Sequence, residues 1–419
     1  MTQVVVVGAG LAGLVAGIRL AQGGAAVTVV AKGAGGLHLS PGTIDVLGYA
    51  PERVDAPADA LPGFLVDRPD HPYATLAPDP LAEALRWFRD LVPGLRYVGD
   101  PDANLLLPTA VGAVRPTALA PASIAAGDLR EGGRFAVTGL RSLKDFFPGL
   151  LAENLLAADL PDGAGVEARP IEVGWSARPG RADVAAPVHA RDLDDPAARR
   201  RLADELRPRI EPGEAVAMPA VLGLERAAEA WDDLQDLLDA TVVEVPTVPP
   251  SVPGMRLQRA LVAALQGASG RLVIGPDAVG LEGSGGRVGA VRVREAARER
   301  SLPADAVVLA TGGFASGGIE LDSRGELRET VAGLPVRGPD PDEPLLSPRH
   351  FDAQPLMRAG LAVDGRMRPV GDDGEPVWDN LHAAGALVTG AEPWREKSGE
   401  GICIAGAAAA ASAILEEGP

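Results

Sequence analysis

Cysteine is almost absent from this sequence of 419 residues, in which Cys403 is the only one. An intramolecular disulfide is therefore excluded, and so are a cysteine-ligated zinc site and an iron–sulfur cluster held by this chain alone. Five histidines are present, but they form no metal-ligand pattern. We predict neither a metal site nor a hydrolase triad.

Basic residues are also few, since Lys and Arg number 39 against 57 Asp and Glu, which gives a net charge of −18. Nucleic acids and anionic lipid headgroups attract clustered Lys and Arg, so we predict that neither is the main ligand of this chain. The hydrophobic fraction of 46% is sufficient for a buried core and argues against a disordered chain.

Long hydrophobic runs are missing as well. The longest, residues 402–415, has 14 residues, half of them alanine, whereas a membrane-spanning helix needs roughly 20 strongly apolar residues. The N-terminus lacks the basic segment of a signal peptide, and glycines interrupt its apolar start. We therefore expect a soluble, cytoplasmic protein whose membrane contact comes only through a partner.

The first thirty residues have the pattern of one β-α-β unit. A β-branched run at residues 4–7 has the composition of a buried parallel strand. Residues 11–22 place apolar side chains at helical spacing, and residues 27–30 form the next strand. This unit predicts the start of a Rossmann-like sheet.

Three glycines, Gly8, Gly10 and Gly13, lie between the first strand and its helix. In a dinucleotide-binding turn the first glycine permits the tight bend, the second lets the backbone approach a phosphate, and the third packs the helix on the strand. The N–H groups at the start of the helix, near Leu11 and Ala12, then face the anion. We predict that these residues bind a dinucleotide or a flavin.

The acidic residue that usually follows the second strand and binds an adenosine ribose is missing. Ala31 stands in its place and Lys32 follows. Without the carboxylate the usual contact with the ribose is lost, and the charge of Lys32 near the helix N-terminus suits a terminal phosphate. This favours flavin mononucleotide (FMN); the alternative is FAD bound through backbone groups, with Lys32 solvated.

The loop after the second strand offers small and hydroxyl-bearing residues to a flavin ring. We predict that Ser40, Gly42 and Thr43 lie against the ring. His38 is a candidate donor to the flavin or the substrate, and the alternative is a structural histidine.

Three later segments complete the predicted cofactor site. One is a turn after a buried strand, one follows the last strand where an alanine replaces the usual acid, and one precedes the alanine-rich C-terminal helix. The N-terminus of that helix would stabilise the anionic reduced ring. The predicted residues are Thr311, Gly312, Gly385, Ala386, Ser398, Gly399 and Gly401.

The resulting prediction is an α/β fold with a Rossmann-like FAD/NAD(P)-binding three-layer domain and an inserted α/β cap. The flavin-binding domain is discontinuous and comprises residues 1–48, 255–315 and 376–419. Residues 49–254 form the cap, which would bind substrate, and residues 316–375 form a second, loop-rich insertion.

Several segments are more specific than the flavin motif. They are GLHLSPGTID at residues 36–45, His71-Pro72-Tyr73, PTVPPSVPGMRL at residues 246–257 and ATGGFASGG at residues 310–318. Through them the whole chain resembles the B-subunit family of the anaerobic glycerol-3-phosphate dehydrogenase. Generic fumarate-reductase-like flavoproteins lack the Pro-Pro-Ser and Phe-Ala-Ser-Gly-Gly segments. Glu400 departs from a purer glycine run in relatives.

The resemblance implies an enzyme of three subunits. In it the A subunit carries FAD, the B subunit carries FMN, and the C subunit carries iron–sulfur clusters at the membrane. Together they oxidise glycerol 3-phosphate to dihydroxyacetone phosphate and pass electrons to quinone in anaerobic respiration. The chain would then be cytoplasmic and peripheral at the inner face of the membrane through a partner.

The implied chemistry is transfer of a hydride from the substrate alcohol to the flavin and of a proton to a base; the alternative is that this step belongs to the partner subunit. Arg256 is a candidate for binding the substrate phosphate, because a guanidinium is a forked donor, and the alternative is a plain salt bridge. A stand-alone FAD oxidoreductase of the fumarate-reductase or ketosteroid-dehydrogenase type and a flavin-free scaffold are the competing interpretations.

Overall fold

The structure, a computed structural model, describes residues 1–76, 78–296, 298–340 and 342–418. In chain order its strands are β1 (Gln3–Val7), β2 (Ala26–Ala31), β3 (Tyr97–Gly99), β4 (Leu105–Pro108), β5 (Val114–Thr117), β6 (Leu119–Pro121), β7 (Gly133–Leu140), β8 (Val166–Val173), β9 (Ala215–Pro219), β10 (Val242–Val245), β11 (Arg271–Ile274), β12 (Asp277–Ser284), β13 (Arg287–Glu295), β14 (Arg298–Pro303), β15 (Ala306–Leu309), β16 (Ile319–Leu321), β17 (Leu327–Glu329) and β18 (Leu381–Ala383).

The helices alternate with these strands. They are α1 (Leu11–Gln22), α2 (Pro57–Asp67), α3 (Pro72–Thr75), α4 (Pro78–Leu91), α5 (Ala122–Ala125), α6 (Pro148–Leu156), α7 (Ala186–Asp192), α8 (Pro196–Leu206), α9 (Ala227–Leu238), α10 (Val252–Gly267), α11 (Pro393–Glu396) and α12 (Gly399–Glu417), and a short 3-10 helix spans Gly36–Leu39.

The first sheet is parallel and has the strand order β11-β2-β1-β15-β18. Val4 to Val7 of β1 pair with β2 on one side and β15 on the other, and all four are buried. An uninterrupted valine run is expected where both faces of a parallel sheet are covered. Helices α1, α10 and α12 pack on this sheet, and the antiparallel meander β12-β13-β14 packs against β1, β2 and β15. The predicted Rossmann-like three-layer fold is confirmed.

The second sheet is also parallel, with the order β10-β9-β7-β8. Helices α6 and α9 pack on its strands, and α8 packs on α9. This unit is the predicted inserted α/β cap. Helix α10 begins seven residues after β10 ends and returns the chain to the first sheet.

The hydrophobic cores divide the chain at other positions than the sequence predicts. One large cluster joins the first sheet with buried side chains between Val54 and Tyr97, which come from the segment predicted to be cap. A second cluster runs from Leu106 to Val252. Leu106 belongs to the second cluster but Ala118 and Leu119 belong to the first, so the change from one core to the other falls between residues 97 and 129. The boundary at residues 48 and 49 stays a prediction that the packing does not favour.

Helix α12 is long and apolar enough to cross a membrane by length and composition. In this fold, however, it is mostly buried and packs on α1 and α4. A core helix passes the same test, so this feature is weak evidence for a membrane span.

Candidate functional site

The turn after β1 requires glycine at two positions. Gly8 has a φ of +116°, and a Cβ atom on it would lie 2.2 Å from the carbonyl oxygen of Ala310. A Cβ atom on Gly13 would lie 1.9 Å from the carbonyl oxygen of Gly8. A side chain on Gly8 would push the turn away from the end of β15, and a side chain on Gly13 would push α1 away from the turn.

The start of α1 has the geometry of an anion-binding cradle. At its N-cap, Gly10, a Cβ atom would meet no atom within 4 Å, so the backbone there is open to close approach. Within the described part of the chain, no backbone carbonyl accepts from the N–H groups of Leu11, Ala12 and Gly13. These donors lie at the positive end of a 12-residue helix and suit a phosphate, so the residues present fit the predicted flavin.

The loop after β2 crosses this cradle. Gly35 has a φ of +73°, and a Cβ atom on it would lie 2.8 Å from the nitrogen of Gly10. Farther along the loop, the hydroxyl of Ser40 accepts from the N–H of Gly42 at 3.1 Å. Thr43 is buried. The three predicted residues of this loop therefore lie on the segment that leads from the cradle toward the cap.

Lys32 lies elsewhere than predicted. Its side chain is 78% exposed, and its Nζ is 3.5 Å from Oδ2 of the half-exposed Asp277. Ala31 is buried, and its carbonyl accepts from the N–H of Gly275. The positive charge of Lys32 is thus directed toward a surface carboxylate, in an ion pair worth about 0–1 kcal/mol. The position of Lys32 therefore does not support a contact with a terminal phosphate, which was an argument for FMN.

The ends of three elements converge opposite the loop. A Cβ atom on Gly385, just after β18, would lie 2.8 Å from the Cβ of Ala12 and 3.3 Å from the Sγ of Cys403. These residues belong to the start of α1 and the first turns of α12. The two helix N-termini therefore meet at the carboxyl end of the sheet, where ligands bind in open α/β folds.

The turn after β15 borders the same place. A Cβ atom on Gly313 would lie 2.5 Å from the carbonyl oxygen of Ala386. Thr311 Oγ1 is buried, and no hydrogen-bond partner for it lies among the described residues. An orphaned hydroxyl beside Gly312 fits a polar cofactor atom, because buried polar groups normally have a partner.

The start of α12 is fixed from two sides. The hydroxyl of Tyr73 donates to the carbonyl of Ser398 at 3.2 Å, and the N–H of Gly401 donates to the carbonyl of Asp45 at 2.9 Å. A Cβ atom on Gly401 would lie 2.2 Å from that tyrosine oxygen. Ser398, Gly399 and Gly401 are thus brought to the site, and their contacts with a flavin stay a prediction.

His38 bonds within the protein. Its Nε2 pairs with Oε1 of Gln258 on α10, and the Gln258 side chain donates to the carbonyl of Ala34 at 2.9 Å. The His38 carbonyl accepts from the N–H of Ser251. These bonds join the 3-10 helix to α10, so the structure gives His38 a positioning role, and its catalytic role stays a prediction.

Arg256 is occupied by buried partners. Its guanidinium donates to both oxygens of Glu244, at 2.7 and 3.0 Å, and to the carbonyls of Gly223 and Leu222. Both members of the ion pair are buried. The structure therefore favours the salt-bridge alternative over a phosphate-binding role for Arg256, because its Nε and both terminal nitrogens already have partners.

A polar cluster that the sequence did not reveal lies between the flavin-binding domain and the start of the cap core. Asp45 is 1% exposed, and Arg115 donates from two nitrogens to its Oδ2, with the Nε at 3.1 Å. The hydroxyls of Thr117 and Thr43 donate to its Oδ1. Both oxygens of Asp45 are therefore satisfied, which holds this carboxylate in place.

Glu400, in the first turn of α12, is the neighbour of this cluster. The residue is half-buried. Burial first and the nearby Asp45 carboxylate second raise the pKa of Glu400 to about 7, while Arg115 acts in the opposite direction. A glutamate that titrates near neutral pH in a recess is typical of a functional site.

Other groups of the cluster are shifted as well. Burial and the like charge of Arg115 lower the pKa of Lys397. Burial and the charge of Glu400 raise the pKa of Tyr97, and burial raises the pKa of the Cys403 thiol to about 12. The tyrosine and the thiol therefore stay protonated at neutral pH.

A cavity of about 280 Å³ adjoins the cluster at the junction between the loop after β2 and the cap. Arg115 and Thr43 line it from the cluster side. Thr109 and Thr247 line it from the cap side, and their buried hydroxyls have no partner among the residues that the structure describes. A cavity with a few unsatisfied donors in apolar walls is typical of a small-molecule site.

The sequence marks some residues of the polar cluster and not others. Asp45 ends a specific motif and Glu400 interrupts a glycine run, so both were visible in the sequence. Arg115 lies in a short strand without any motif, and only the fold brings it to Asp45. Among the described residues no group of three or more His, Cys, Asp or Glu side chains could hold a metal ion.

Comparison with known proteins agrees with this geometry. The model of the FAD-binding domain family matches residues 3–402. Together with the glycine cradle at the carboxyl end of the sheet, this match defines a flavoprotein of the flavin-dependent oxidoreductase class.

Curated relatives narrow the class to one family. A Halobacterium salinarum protein, named as the probable B subunit of an anaerobic glycerol-3-phosphate dehydrogenase, is 34% identical over 99% of this chain and 98% of its own length. The B subunit of the anaerobic glycerol-3-phosphate dehydrogenase of Pectobacterium atrosepticum is 32% identical over 99% of each chain. The chain belongs to this B-subunit family, as the resemblance predicted.

Solved structures are more distant. The open conformation of a flavocytochrome c3 fumarate reductase is 11% identical, with a TM-score of 0.44 over 99% of this chain and 78% of that one. A likeness at this level carries no argument about function.

Proposed function

We propose that this chain is a flavoprotein subunit of an enzyme that oxidises glycerol 3-phosphate to dihydroxyacetone phosphate. The observation that carries the proposal is the meeting of a nucleotide cradle, at Gly10 and α1, with a recess of ionisable groups beside an interdomain cavity. The names of the curated relatives supply the substrate.

The flavin we propose is FAD. The family model that matches the chain is that of an FAD-binding domain, and Lys32 contacts Asp277 rather than the helix N-terminus. Ala31 supplies no carboxylate for an adenosine ribose, which is the remaining argument for FMN. We infer that the adenosine part is bound through backbone groups.

The residues of the cradle would hold the phosphates, and Thr311, Gly385 and the start of α12 would border the ring. When bound, a flavin accepts a hydride and can release electrons singly. The cavity side chains would then orient the substrate: the hydroxyls of Thr109 and Thr247 can bond a polyol, and Arg115 presents a positive charge to its phosphate.

The names of the relatives and the cysteine count support a complex of several subunits. A chain with one cysteine cannot bind an iron–sulfur cluster alone. We therefore propose that electrons pass to an iron–sulfur C subunit and from there to quinone, in a complex that also contains a flavoprotein A subunit. The chain would be cytoplasmic and held at the inner face of the membrane by its partner. Continuous turnover with quinone would require the complex, whereas reduction of the bound flavin by the substrate would not.

The experiment is to denature the purified chain, identify the released flavin by mass, and add glycerol 3-phosphate anaerobically to the holoprotein. Release of FAD and bleaching of the flavin absorbance support the proposal. Release of FMN would support the prediction of a mononucleotide instead. Absence of any released flavin would contradict the proposal. Rapid turnover with a soluble dye in the absence of partners would favour a stand-alone oxidoreductase.

A further inference from the structure

The polar cluster contains one carboxyl group that its neighbours leave available. Asp45 has both oxygens bonded, by Arg115 on one side and by two threonine hydroxyls on the other. Glu400 lies beside them, and among the described residues its carboxyl group bonds to the backbone N–H groups of Asp45 and of Glu400 itself but to no side chain. Burial and the nearby Asp45 carboxylate raise the pKa of Glu400 to about 7, so this carboxyl group can take up and release a proton near neutral pH.

The position of Glu400 connects the cofactor side with the substrate side. The residue is in the first turn of α12, and Cys403, three residues later on the same helix, lies near Gly385 at the cradle. The next residue, Gly401, donates its N–H to the carbonyl of Asp45 at 2.9 Å, and the Asp45 carboxylate accepts from Arg115, which lines the interdomain cavity. A group placed between a flavin crevice and a substrate cavity can exchange a proton with either.

We propose that the carboxylate of Glu400 accepts the proton of the substrate hydroxyl group when the alcohol is oxidised. This assignment rests on the proposed function. The O–H bond breaks and its proton forms a bond with Glu400. The neighbouring C–H bond breaks and its hydride, with two electrons, passes to the flavin, so that a ketone remains.

The other candidates for this role are less suitable. His38 is bonded to Gln258 and lies on the α10 side of the loop. Burial raises the pKa values of Tyr73 and Tyr97, so that both stay protonated at neutral pH. Lys397 donates to the carbonyl of Trp394. Glu400 is the acid that the geometry leaves for proton transfer.

The titratable groups that face Glu400 come from several elements. They are Asp45 in the loop after β2, Arg115 on β5, Tyr97 on β3, Tyr73 on α3, Lys397 just before Ser398, and Cys403 on α12 itself. Glu400 must be ionised to accept a proton, so the rate of flavin reduction is expected to rise with pH until the acid is deprotonated, at about pH 7.

The test compares Glu400→Gln with Glu416→Gln, an exposed glutamate on the same helix. Stopped-flow absorbance follows reduction of the bound flavin by glycerol 3-phosphate at several pH values. The Glu400→Gln variant is expected to lose the pH step and to be slower by about 10²–10⁴-fold, whereas Glu416→Gln keeps both. Glu400→Asp is expected to keep the pH step at a reduced rate, and flavin content confirms that each variant folds.

A second measurement needs no substrate. Infrared difference spectra of the holoprotein between about pH 6 and 8 are expected to show loss of one protonated carboxyl band, and Glu400→Gln is expected to lack it. If wild-type flavin is reduced but Glu400→Gln keeps the pH step and the rate, this assignment alone is overturned. If glycerol 3-phosphate does not reduce the wild-type flavin, the proposed function fails and this assignment fails with it.

Discussion

At the scale of single residues, Gly10 and Gly8 show two different reasons for glycine. Gly8 adopts φ +116° and has a carbonyl oxygen where a Cβ would be, so the fold itself requires it. Gly10 has neither constraint, and its neighbours leave room for a methyl group. What an added side chain would obstruct at Gly10 is the approach of a phosphate to the backbone.

This difference gives a prediction for Gly10→Ala. The variant is expected to fold with near-normal stability but to lose most of its bound flavin, because its methyl group would occupy the phosphate side of the turn. Flavin content per protein, from absorbance, and the midpoint of urea unfolding measure the two effects. Gly63→Ala is the matched control, since it lies in α2 with no atom within 4 Å of its Cβ, and should keep its flavin.

At the scale of elements, α10 illustrates how a buried charge is retained. Arg256 on this helix pairs with Glu244 on β10, and both are at most 5% exposed. Two buried charges are tolerated because each satisfies the other's hydrogen bonds. The Glu244 carboxylate also accepts from the hydroxyl of Ser123 at 2.8 Å and from the N–H of Leu222 at 2.7 Å.

Removal of one member of the Arg256–Glu244 pair should therefore lower the free energy of unfolding. Arg256→Met is expected to lower the free energy of unfolding by about 3–5 kcal/mol, because Glu244 would remain buried without a counter-ion. Urea unfolding measures this loss. The double variant Arg256→Met/Glu244→Gln should recover part of the stability, and a loss below about 1 kcal/mol would contradict a structural role for the pair.

Arg259→Met, on the same helix, serves as the control. Its partner is the exposed Glu225, and the arginine side chain itself is 39% exposed. An exposed ion pair contributes about 0–1 kcal/mol, so this variant should unfold close to the wild type.

At the scale of the whole molecule, the two hydrophobic cores separate cofactor binding from the cap. Leu14 belongs to the core of the first sheet and Leu234 to the core of the second, and both are 0% exposed. The cradle is built on the first sheet, whereas Thr247, on the cap side of the cavity, follows β10 of the second sheet.

Truncation in each core is expected to have different consequences. Leu14→Ala and Leu234→Ala should each cost about 2–5 kcal/mol of local stability. Flavin fluorescence during urea unfolding should show earlier flavin release for Leu14→Ala than for Leu234→Ala. Equal shifts of flavin release in both variants would show instead that the two cores unfold as one cooperative unit.

The sequence by itself determined the nucleotide-binding turn and the fold class. The valine run, the three glycines and the helix after them are adjacent in the chain, and their geometry depends on local dihedral angles and periodicity. The same locality made the segment after β2 and the start of α12 recognisable, because each is a continuous segment rich in small residues.

Only the tertiary structure decided how the distant residues meet. Arg115 reaches Asp45 because β5 and the loop after β2 are brought together, and Arg256 is withdrawn from solvent because β10 supplies Glu244. Lys32 is directed toward Asp277 by the position of the meander. Pairing, burial and pKa depend on contacts between segments far apart in the chain, and a single sequence carries no record of those contacts.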